Sequence, residues 1–362
     1  MYQEKVKGGE ETVETILQKA RNSSKIPVYE RTIENILSSI LVTDNFWRIV
    51  ELSEEPLPLV SEVIKTLREE GLISIGGGIG LTEEGRRFIE EHGIGGRESS
   101  ICRYCEGRGL NLENDLDLLD RFKELVKDRP TPKHEFDQGF VTPETTISRV
   151  LLMHSKGDLY NKDVFVLGDD DLTSIALMLS DLPRRIVTVD IDERLIDFIR
   201  KAADEIGYND IEVTTLDLRE PLPGDYSKAF DTFITDPPET LYAIETFVGR
   251  GISSLRGERR AGYFGITRGE SSLDKWREIQ RLLVDRFNVI ITDIIKNFNH
   301  YVNWGYEEET RAWMLSPIKK NPESIWYKSY MFRIETLDGS KGFKGAVDIG
   351  KELYDDEESS TT

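Results

Sequence analysis

Only two of the 362 residues are cysteine and four are histidine, which leaves little material for a metal or redox centre. Cys102 and Cys105 form a single "CRYC" pair, and a structural zinc site needs four ligands. A metal shared between two such pairs, a local disulfide and free thiols therefore stay open for it, and no catalytic metal is expected. His92, His134, His154 and His300 are scattered without ligand spacing. Positive charge is also short: 47 Lys and Arg stand against 67 Asp and Glu, a net charge of −20. Such a balance repels nucleic acid and anionic membranes and attracts cations. No apolar run approaches the roughly 20 residues of a membrane span. The opening "MYQEKVKGGEETVET" lacks a hydrophobic signal segment, so the cytoplasm is the expected location. The phosphate-cradling lysine loop of nucleotide hydrolases is missing as well.

What is present divides the chain. Residues 1–24 are polar and read as a loose leader helix. From Tyr29 to Gly93 three helices precede "GLISIGGGIGLTEEGRRFIEEHG", a hairpin with a Gly-rich tip and a further helix capped by Thr82. This first unit, residues 1–96, resembles a winged helix. Yet residues 26–95 carry six basic against thirteen acidic side chains, the reverse of a DNA-binding footprint. A dimerising or substrate-covering role is expected instead. Residues 97–139 form a connector with the Cys pair and a helix near 111–127, ending in the Pro-rich "DRPTPKHEFDQ". Residues 140–345 alternate strand and helix, which implies a mostly parallel sheet with right-handed crossovers. The last two strands, "FNVIITDIIKNFN" and "SYMFRIETL", have no helix between them, so an antiparallel final strand is expected. Seven strands ending that way resemble the class I S-adenosylmethionine-dependent transferase fold, an α/β, Rossmann-like sheet. Residues 346–362 are acidic, poor in apolar residues and expected to be mobile.

Ligands of open α/β sheets bind beyond the carboxyl ends of the strands. Here those ends carry acids. "VFVLGDDDLTS" places Asp169, Asp170 and Asp171 after the first strand of this region, where a nucleotide site normally has glycines. Asp190 ends the next strand, at the spacing of a carboxylate that binds ribose hydroxyls. Asp217 follows in "TLDL", placed for an adenine amino group, and Asp236 opens "DPPE". Ile191 and Leu218 belong to the same expected adenosyl site. Acids at strand ends can also be plain helix N-caps, and that reading is preferred for Asp171 and Asp192. Three aspartates would repel a pyrophosphate, so NAD and ATP fall behind an adenosyl sulfonium.

Gly168, Asp170 and Leu172 occupy the three positions of the glycine loop that holds the methionyl part of the donor in methyltransferases. A carboxylate at Asp170 would repel the donor's carboxylate and hold its ammonium. Decarboxylated S-adenosylmethionine keeps only the ammonium. One unpaired like-charge contact in a partly dry site is worth a few kcal/mol, enough to separate the two donors. "DPPE" resembles the Asp/Asn-Pro-Pro-aromatic motif of amine-directed methyltransferases, with Glu239 in the aromatic's place. Asp236, Pro237 and Glu239 would position an amine, and Glu144, Asp137 and acids 307–309 would extend the track for a polycation. Phe298, Tyr301, Trp304 and Tyr306 interleave with that last run and offer faces to an ammonium.

Taken together, "GDDDLTS", "DIDERLIDFI", "FDTFITDPPET" and "NFNHYVNWGYEEETRAW" resemble the branched-chain polyamine synthases over nearly the whole chain. The resemblance implies a homodimer of thermophiles that transfers aminopropyl groups from decarboxylated S-adenosylmethionine to the secondary amine of spermidine, releasing 5′-methylthioadenosine. It also implies an essential acid in the 168–171 turn, with Asp170 the first choice. Asp236 is the alternative base, and Glu239 joins it in holding the acceptor. The competing reading is an S-adenosylmethionine-dependent amine methyltransferase acting on nucleic acid or protein; a DNA-binding sensor of an adenosyl ligand is a third.

Overall fold

The computed structural model describes residues 6–96, 100–303, 305 and 307–361, with side chains from residue 14 onward. Five helices and a hairpin come first: α1 (Val6–Ser23), α2 (Glu30–Ile40), α3 (Phe46–Ser53), α4 (Leu57–Glu69), β1 (Ile73–Ile75), β2 (Ile79–Leu81) and α5 (Glu83–Glu91). Each helix turns an apolar stripe to a shared core in which Ile36, Leu37, Ile49, Val60 and Leu67 are buried. Helix α1 is not loose, since Ile16, Leu17 and Ala20 enter that core. Thr82 caps α5, accepting from the Gly85 N–H at 3.0 Å. The same core takes in Val141, Tyr301, Trp326 and Tyr327 from far along the chain. Trp47 of α3 fixes that join: its indole N–H donates to the Lys320 carbonyl at 2.9 Å, and its ring lies 4.8 Å from that of Trp326.

The second unit contains α6 (Leu116–Val126), α7 (Pro143–Ser155), β3 (Asp163–Leu167), α8 (Thr173–Ser180), β4 (Arg185–Asp190), α9 (Glu193–Ile206), β5 (Ile211–Thr215), β6 (Thr232–Thr235), α10 (Leu241–Ser254), β7 (Ala261–Ile266), α11 (Leu273–Arg281), β8 (Val289–His300), α12 (Arg311–Leu315) and β9 (Lys328–Thr336). The seven strands β3 to β9 form one sheet in the order β5-β4-β3-β6-β7-β9-β8. Neighbours from β5 to β7 are parallel, while β9 runs antiparallel to both β7 and β8. The expected antiparallel last strand is thus present, inserted inside the sheet rather than at its edge. β3, β6 and β7 are buried at every position because helices cover both faces, which is why they read as unbroken apolar runs. β8 is the edge, and its alternating burial leaves Ile290 and Ile294 exposed.

Strand order reverses at β3, whose neighbours are β4 and β6. Leu167 pairs with Thr235, so the segments that follow, 168–171 and 236–239, leave the sheet side by side. That crevice is where an open α/β sheet binds ligands.

Residues 346–361 depart from the expectation of a mobile tail. Leu353, Ser359, Ser360 and Thr361 are buried, and the acids between them are all engaged. Asp355 pairs with Lys351, Asp356 with Lys275, Glu357 with Lys25, and Glu358 accepts from the Ser272 N–H and hydroxyl. Arg311 donates to the carbonyls of Asp356, Glu357 and Ser359. The tail is sequence-polar because its contacts are hydrogen bonds and ion pairs, which a search for apolar periodicity does not register.

Candidate active site

The 168–171 turn is built by its own acids. Gly168 stands at φ +69° and Leu172 at φ +54°, both in the left-handed region, so the chain doubles back between β3 and α8. Asp169 is buried and caps α8: its carboxylate accepts from the Thr173 N–H at 2.6 Å and the Ser174 N–H at 3.2 Å. Asp169 also donates its own N–H to Asp190 Oδ2 at 2.7 Å, which ties the ends of β3 and β4 together. Asp171, expected as the cap, does other work. Its Oδ1 accepts from the Val141 N–H at 2.7 Å and its Oδ2 from Arg149. The turn's left-handed residue at 172 carries Asp171 away from the helix axis and leaves the preceding acid over the open N–H groups.

Arg149, fully buried on α7, is the centre of a second network. It donates Nε to Asn299 Oδ1 at 2.9 Å, Nη1 to Asp171 and Nη2 to Asp236 Oδ2 at 2.6 Å. The same Asp236 oxygen accepts from the Tyr301 hydroxyl at 2.7 Å, and Tyr301 lies 3.1 Å from the Ser329 hydroxyl. Burial opposes the charge of Arg149, but Asp171 and Asp236 raise its pKa, so it stays a cation. Gly265 on β7 leaves room for this network, because a Cβ there would stand 2.3 Å from Asp236 Oδ1.

Two adjoining spaces open on these groups. A cleft is lined by Phe136, Gly168, Asp190, Asp217, Phe247 and Tyr354, among others. A smaller cavity is lined by Gly139, Pro237, Glu239, Tyr301, Tyr327 and Thr361, among others. Asp137, Asp170, Asp236 and Pro238 line both. Asp170 therefore stands at the junction, its Oδ2 accepting from the Gly139 N–H at 3.2 Å. Arg129, stacked on the Phe140 ring, donates to the Asp170 carbonyl and is its nearest compensating cation. Among the described residues lining the smaller cavity there is no Lys or Arg against four acids: Asp137, Asp170, Asp236 and Glu239.

The electrostatics follow. Burial, together with Asp171, Asp190 and Asp236, pushes Asp170 well above the usual carboxylate range. Burial and the neighbours Glu270 and Asp137 do the same to Glu239. Asp236 is raised to about 6 by burial, held down from more by Arg149 and the Tyr301 hydroxyl. Asp169 is raised to about 7, chiefly by burial. Such a site gains by taking a polycation, which supplies the missing positive charge and lets the carboxylates ionise.

On the cleft side, Asp190 keeps one oxygen on Asp169 and the other on the Asp192 N–H, donated at 2.8 Å. Asp192 is the N-cap of α9, as expected, accepting from the Arg194 N–H at 3.0 Å. Asp217 lines the cleft but is clasped by Arg219, whose Nη2 lies 2.6 Å from it. Burial works to raise Asp217, yet Arg219 holds it below the usual range. Ile191 and Leu218 flank these acids in the same wall.

Not every expected residue arrives. Glu144 caps no cavity described here; it pairs with Lys123 at 2.6 Å on a half-exposed face of α7. The acids 307–309 form a short 3-10 turn outside both linings. Phe298 is wholly buried packing, and Trp304 and Tyr306 lie outside the described residues. His300 is buried against Glu106 and pushed down to about 4, first by burial, so it is neutral. Cys102 is an exposed free thiol and Cys105 a half-buried one. No group of metal-ligating side chains gathers among the described residues. Arg149, Asn299, Ser329, Glu270 and Tyr327 were not foreseen. Arg149 had one signal: it is a lone cation in the buried run Thr145 to Val150, and a buried Arg needs buried acids.

A seven-stranded sheet with an inserted antiparallel strand, and an acid-lined crevice at its switch point, give the α/β fold of the class I S-adenosylmethionine-dependent transferases. The family model for the branched-chain polyamine synthase A C-terminal domain matches residues 117–361. The chain is 69% identical over 350 residues to the N(4)-bis(aminopropyl)spermidine synthase of Methanocaldococcus jannaschii, covering 97% of this chain and 100% of that one. It is 62% identical over 348 residues to the same-named enzyme of Thermococcus kodakarensis, covering 96% and 99%. The crystal structure of a branched-chain polyamine synthase variant from Thermus thermophilus, in complex with N4-aminopropylspermidine and 5′-methylthioadenosine, superposes with a TM-score of 0.90 at 40% identity, over 98% of this chain and 99% of that one. The chain belongs to the branched-chain polyamine synthase family.

Proposed function

We propose that this chain is an aminopropyltransferase that uses decarboxylated S-adenosylmethionine to alkylate the secondary amine of spermidine twice. The products are N4-aminopropylspermidine, then quaternary N4-bis(aminopropyl)spermidine, with 5′-methylthioadenosine released each time. The observation that carries the reading is the junction at Asp170. It lies between a cleft walled by Asp190, Ile191, Asp217 and Leu218 and a cavity with four acids and no cation in its described lining. A donor carboxylate would find no partner there, whereas an ammonium would.

The chemistry assigns roles. The acceptor nitrogen is protonated in water, with a pKa near 10.4, and must lose that proton before its lone pair can attack. Asp170, raised and facing both spaces, takes or orients the proton. The nitrogen lone pair then forms the new C–N bond as the C–S bond breaks and its electrons return to sulfur. In the second transfer the proton removed is the one on the tertiary ammonium; the quaternary product has none left to lose. Asp236, fixed by Arg149 and Tyr301, and Glu239 hold the remaining ammonium groups. Asp236 adds to the charges that raise Asp170, so the two carboxylates do not ionise independently. Asp190, Ile191, Asp217 and Leu218 hold the adenosine, and Gly168 and Asp169 shape the turn.

Mass spectrometry after hot incubation with spermidine and each donor separately tests this. Gains of one and then two aminopropyl units, with the decarboxylated donor only, are expected. A methyl gain with ordinary S-adenosylmethionine would replace the reading with an amine methyltransferase.

The enzyme so proposed is a cytoplasmic homodimer of a thermophile, with units 1–96, 97–139, 140–345 and 346–362. Three helices and a hairpin support a winged-helix-like first unit, and its acidity supports a role other than DNA binding.

A further inference from the structure

The acid-lined cavity begins at Asp170 and Asp236 and reaches Tyr327, which also lines a third cavity on its far side. Among the described lining residues Tyr327 alone is common to both. Its ring is gripped edge-on by Tyr301 at 5.1 Å and Trp326 at 5.4 Å, and its carbonyl accepts from the Tyr301 N–H at 3.2 Å. Thr267 completes the partition: its N–H donates to Glu239 Oε1 at 3.4 Å, and its hydroxyl to the Lys328 carbonyl at 2.7 Å.

The charge changes across this wall. On the near side the described lining holds four acids and no cation. On the far side Arg268 and Lys328 line the space with Glu51 and Glu54, and both acids are already taken. Lys328 Nζ lies 2.6 Å from Glu51, while Glu54 pairs with Lys296 and accepts from the Tyr330 hydroxyl at 3.1 Å. An ammonium that passed Tyr327 would leave a row of four carboxylates, of which Asp236 alone among the described lining has an ion-pair partner, Arg149, for a space whose carboxylates have cations of their own.

The geometry points to Tyr327 as the stop that limits how long an acceptor arm can lie along the carboxylate row, with Lys328 and Arg268 behind it as a charge barrier. This rests on aminopropyl transfer at the Asp170–Asp236 junction. One arm of the acceptor runs toward Tyr327 and must be short; the other leaves through the open side and is unrestricted. A wild-type active site should then choose which nitrogen it alkylates by counting from one end of the polyamine.

A linear pentaamine whose four spacers are each three methylenes tests the idea. Its penultimate nitrogens carry one short arm each, whereas its central nitrogen carries two long ones. Fragmentation mass spectrometry of the product reads which nitrogen gained the aminopropyl unit. The wild type is expected to alkylate penultimate nitrogens. Tyr327→Leu, which keeps apolar packing, and Tyr327→Ala, which opens the wall fully, are expected to raise the central-nitrogen share by about tenfold, equivalent to about 1.4 kcal/mol. Lys328→Gln alone should leave the pattern unchanged, because the wall is shut, and should raise the central share further in the Tyr327→Leu background. Central alkylation by the wild type at a comparable rate would overturn the inference, and that arm needs no variant to fold. An unchanged pattern in a Tyr327 variant that melts cooperatively and still converts spermidine would overturn it too. No transfer to spermidine by the wild type would instead refute the proposed function.

Discussion

Asp170→Asn separates catalysis, donor choice and stability in one variant. The substitution is isosteric and keeps an oxygen for the Gly139 N–H, so the turn retains its bond at 3.2 Å. It removes one negative charge from a group surrounded by Asp171, Asp190 and Asp236, with Arg129 the chief offset. Loss of a proton acceptor at the reacting nitrogen should lower kcat by about 10²–10⁴. If Asp170 only held an ammonium, KM would rise and kcat would survive. The charge lost is also the one that disfavours a donor carboxylate. The variant should therefore bind ordinary S-adenosylmethionine more tightly relative to its decarboxylated form, by about tenfold or more, read by calorimetry. Stability should move the other way. Burial raises the carboxyl's pKa, so ionisation costs folding free energy, and that cost is greatest well above the raised value. At pH 8 the ligand-free variant should melt higher than the wild type, by about 1–2 °C per kcal/mol relieved in a chain of this size. Near wild-type kcat would refute the assigned role. Lost activity with a lower melting temperature would reduce Asp170 to a structural residue.

The remaining predictions use the same network. Tyr301→Phe removes a hydrogen bond that favours ionised Asp236, so its pKa should rise from about 6 and the acid limb of the kcat/KM profile should shift upward by about one unit. An unmoved limb would exclude Asp236 from that limb. Asp169, raised to about 7, favours the folded state fully below its ordinary pKa and loses that favour as pH rises through 7. The ligand-free protein should accordingly melt lower at pH 8.5 than at pH 6, and spermidine with 5′-methylthioadenosine should flatten the slope; a melting temperature that climbs with pH would contradict this. Gly265→Ala pushes a methyl to within 2.3 Å of Asp236 Oδ1 and should cost about tenfold or more in kcat, with the chain still folded by circular dichroism. Ending the chain at Glu358 strips Glu270 of the Ser360 N–H (2.8 Å), the Ser360 hydroxyl (2.5 Å) and the Thr361 N–H (3.0 Å), and should raise the KM for spermidine; unchanged kinetics would leave the tail without a part in the site.

The parts of this structure that were legible in advance are those with a local signature. β3, β6 and β7 announce themselves as short apolar runs, and the two strands without a helix between them foretell the antiparallel insertion of β9. Gly168 to Asp171 and Asp236 to Glu239 were found because strand ends in such a sheet converge on one crevice, whatever the distance between them in sequence. What stayed hidden depends on where side chains meet. That Asp169 and not Asp171 caps α8 is decided by the left-handed backbone at Leu172, a residue type that seldom adopts it. Glu144 was misplaced because one face of α7 meets the site through Arg149 and another turns to Lys123.

The tail shows the same limit and explains part of the site's energetics. A stretch such as "YDDEESSTT" has no apolar period, so its composition alone reads as solvated chain. Its serines and threonines nevertheless deliver donors to buried acids: Ser360 and Thr361 to Glu270, and the Thr361 hydroxyl to Asp137 at 3.1 Å. Glu270 in turn raises Glu239 and Asp137, so whatever solvates Glu270 sets how negative the acceptor cavity can become. Hydrogen bonds that favour an ionised Glu270 stabilise that carboxylate while they leave its field on Glu239 intact. The cavity is thereby kept electrically unsatisfied until a cation enters, and the chain bears that cost in the ligand-free state. A cavity relaxed by internal lysines would be more stable and would hold a polyamine less tightly.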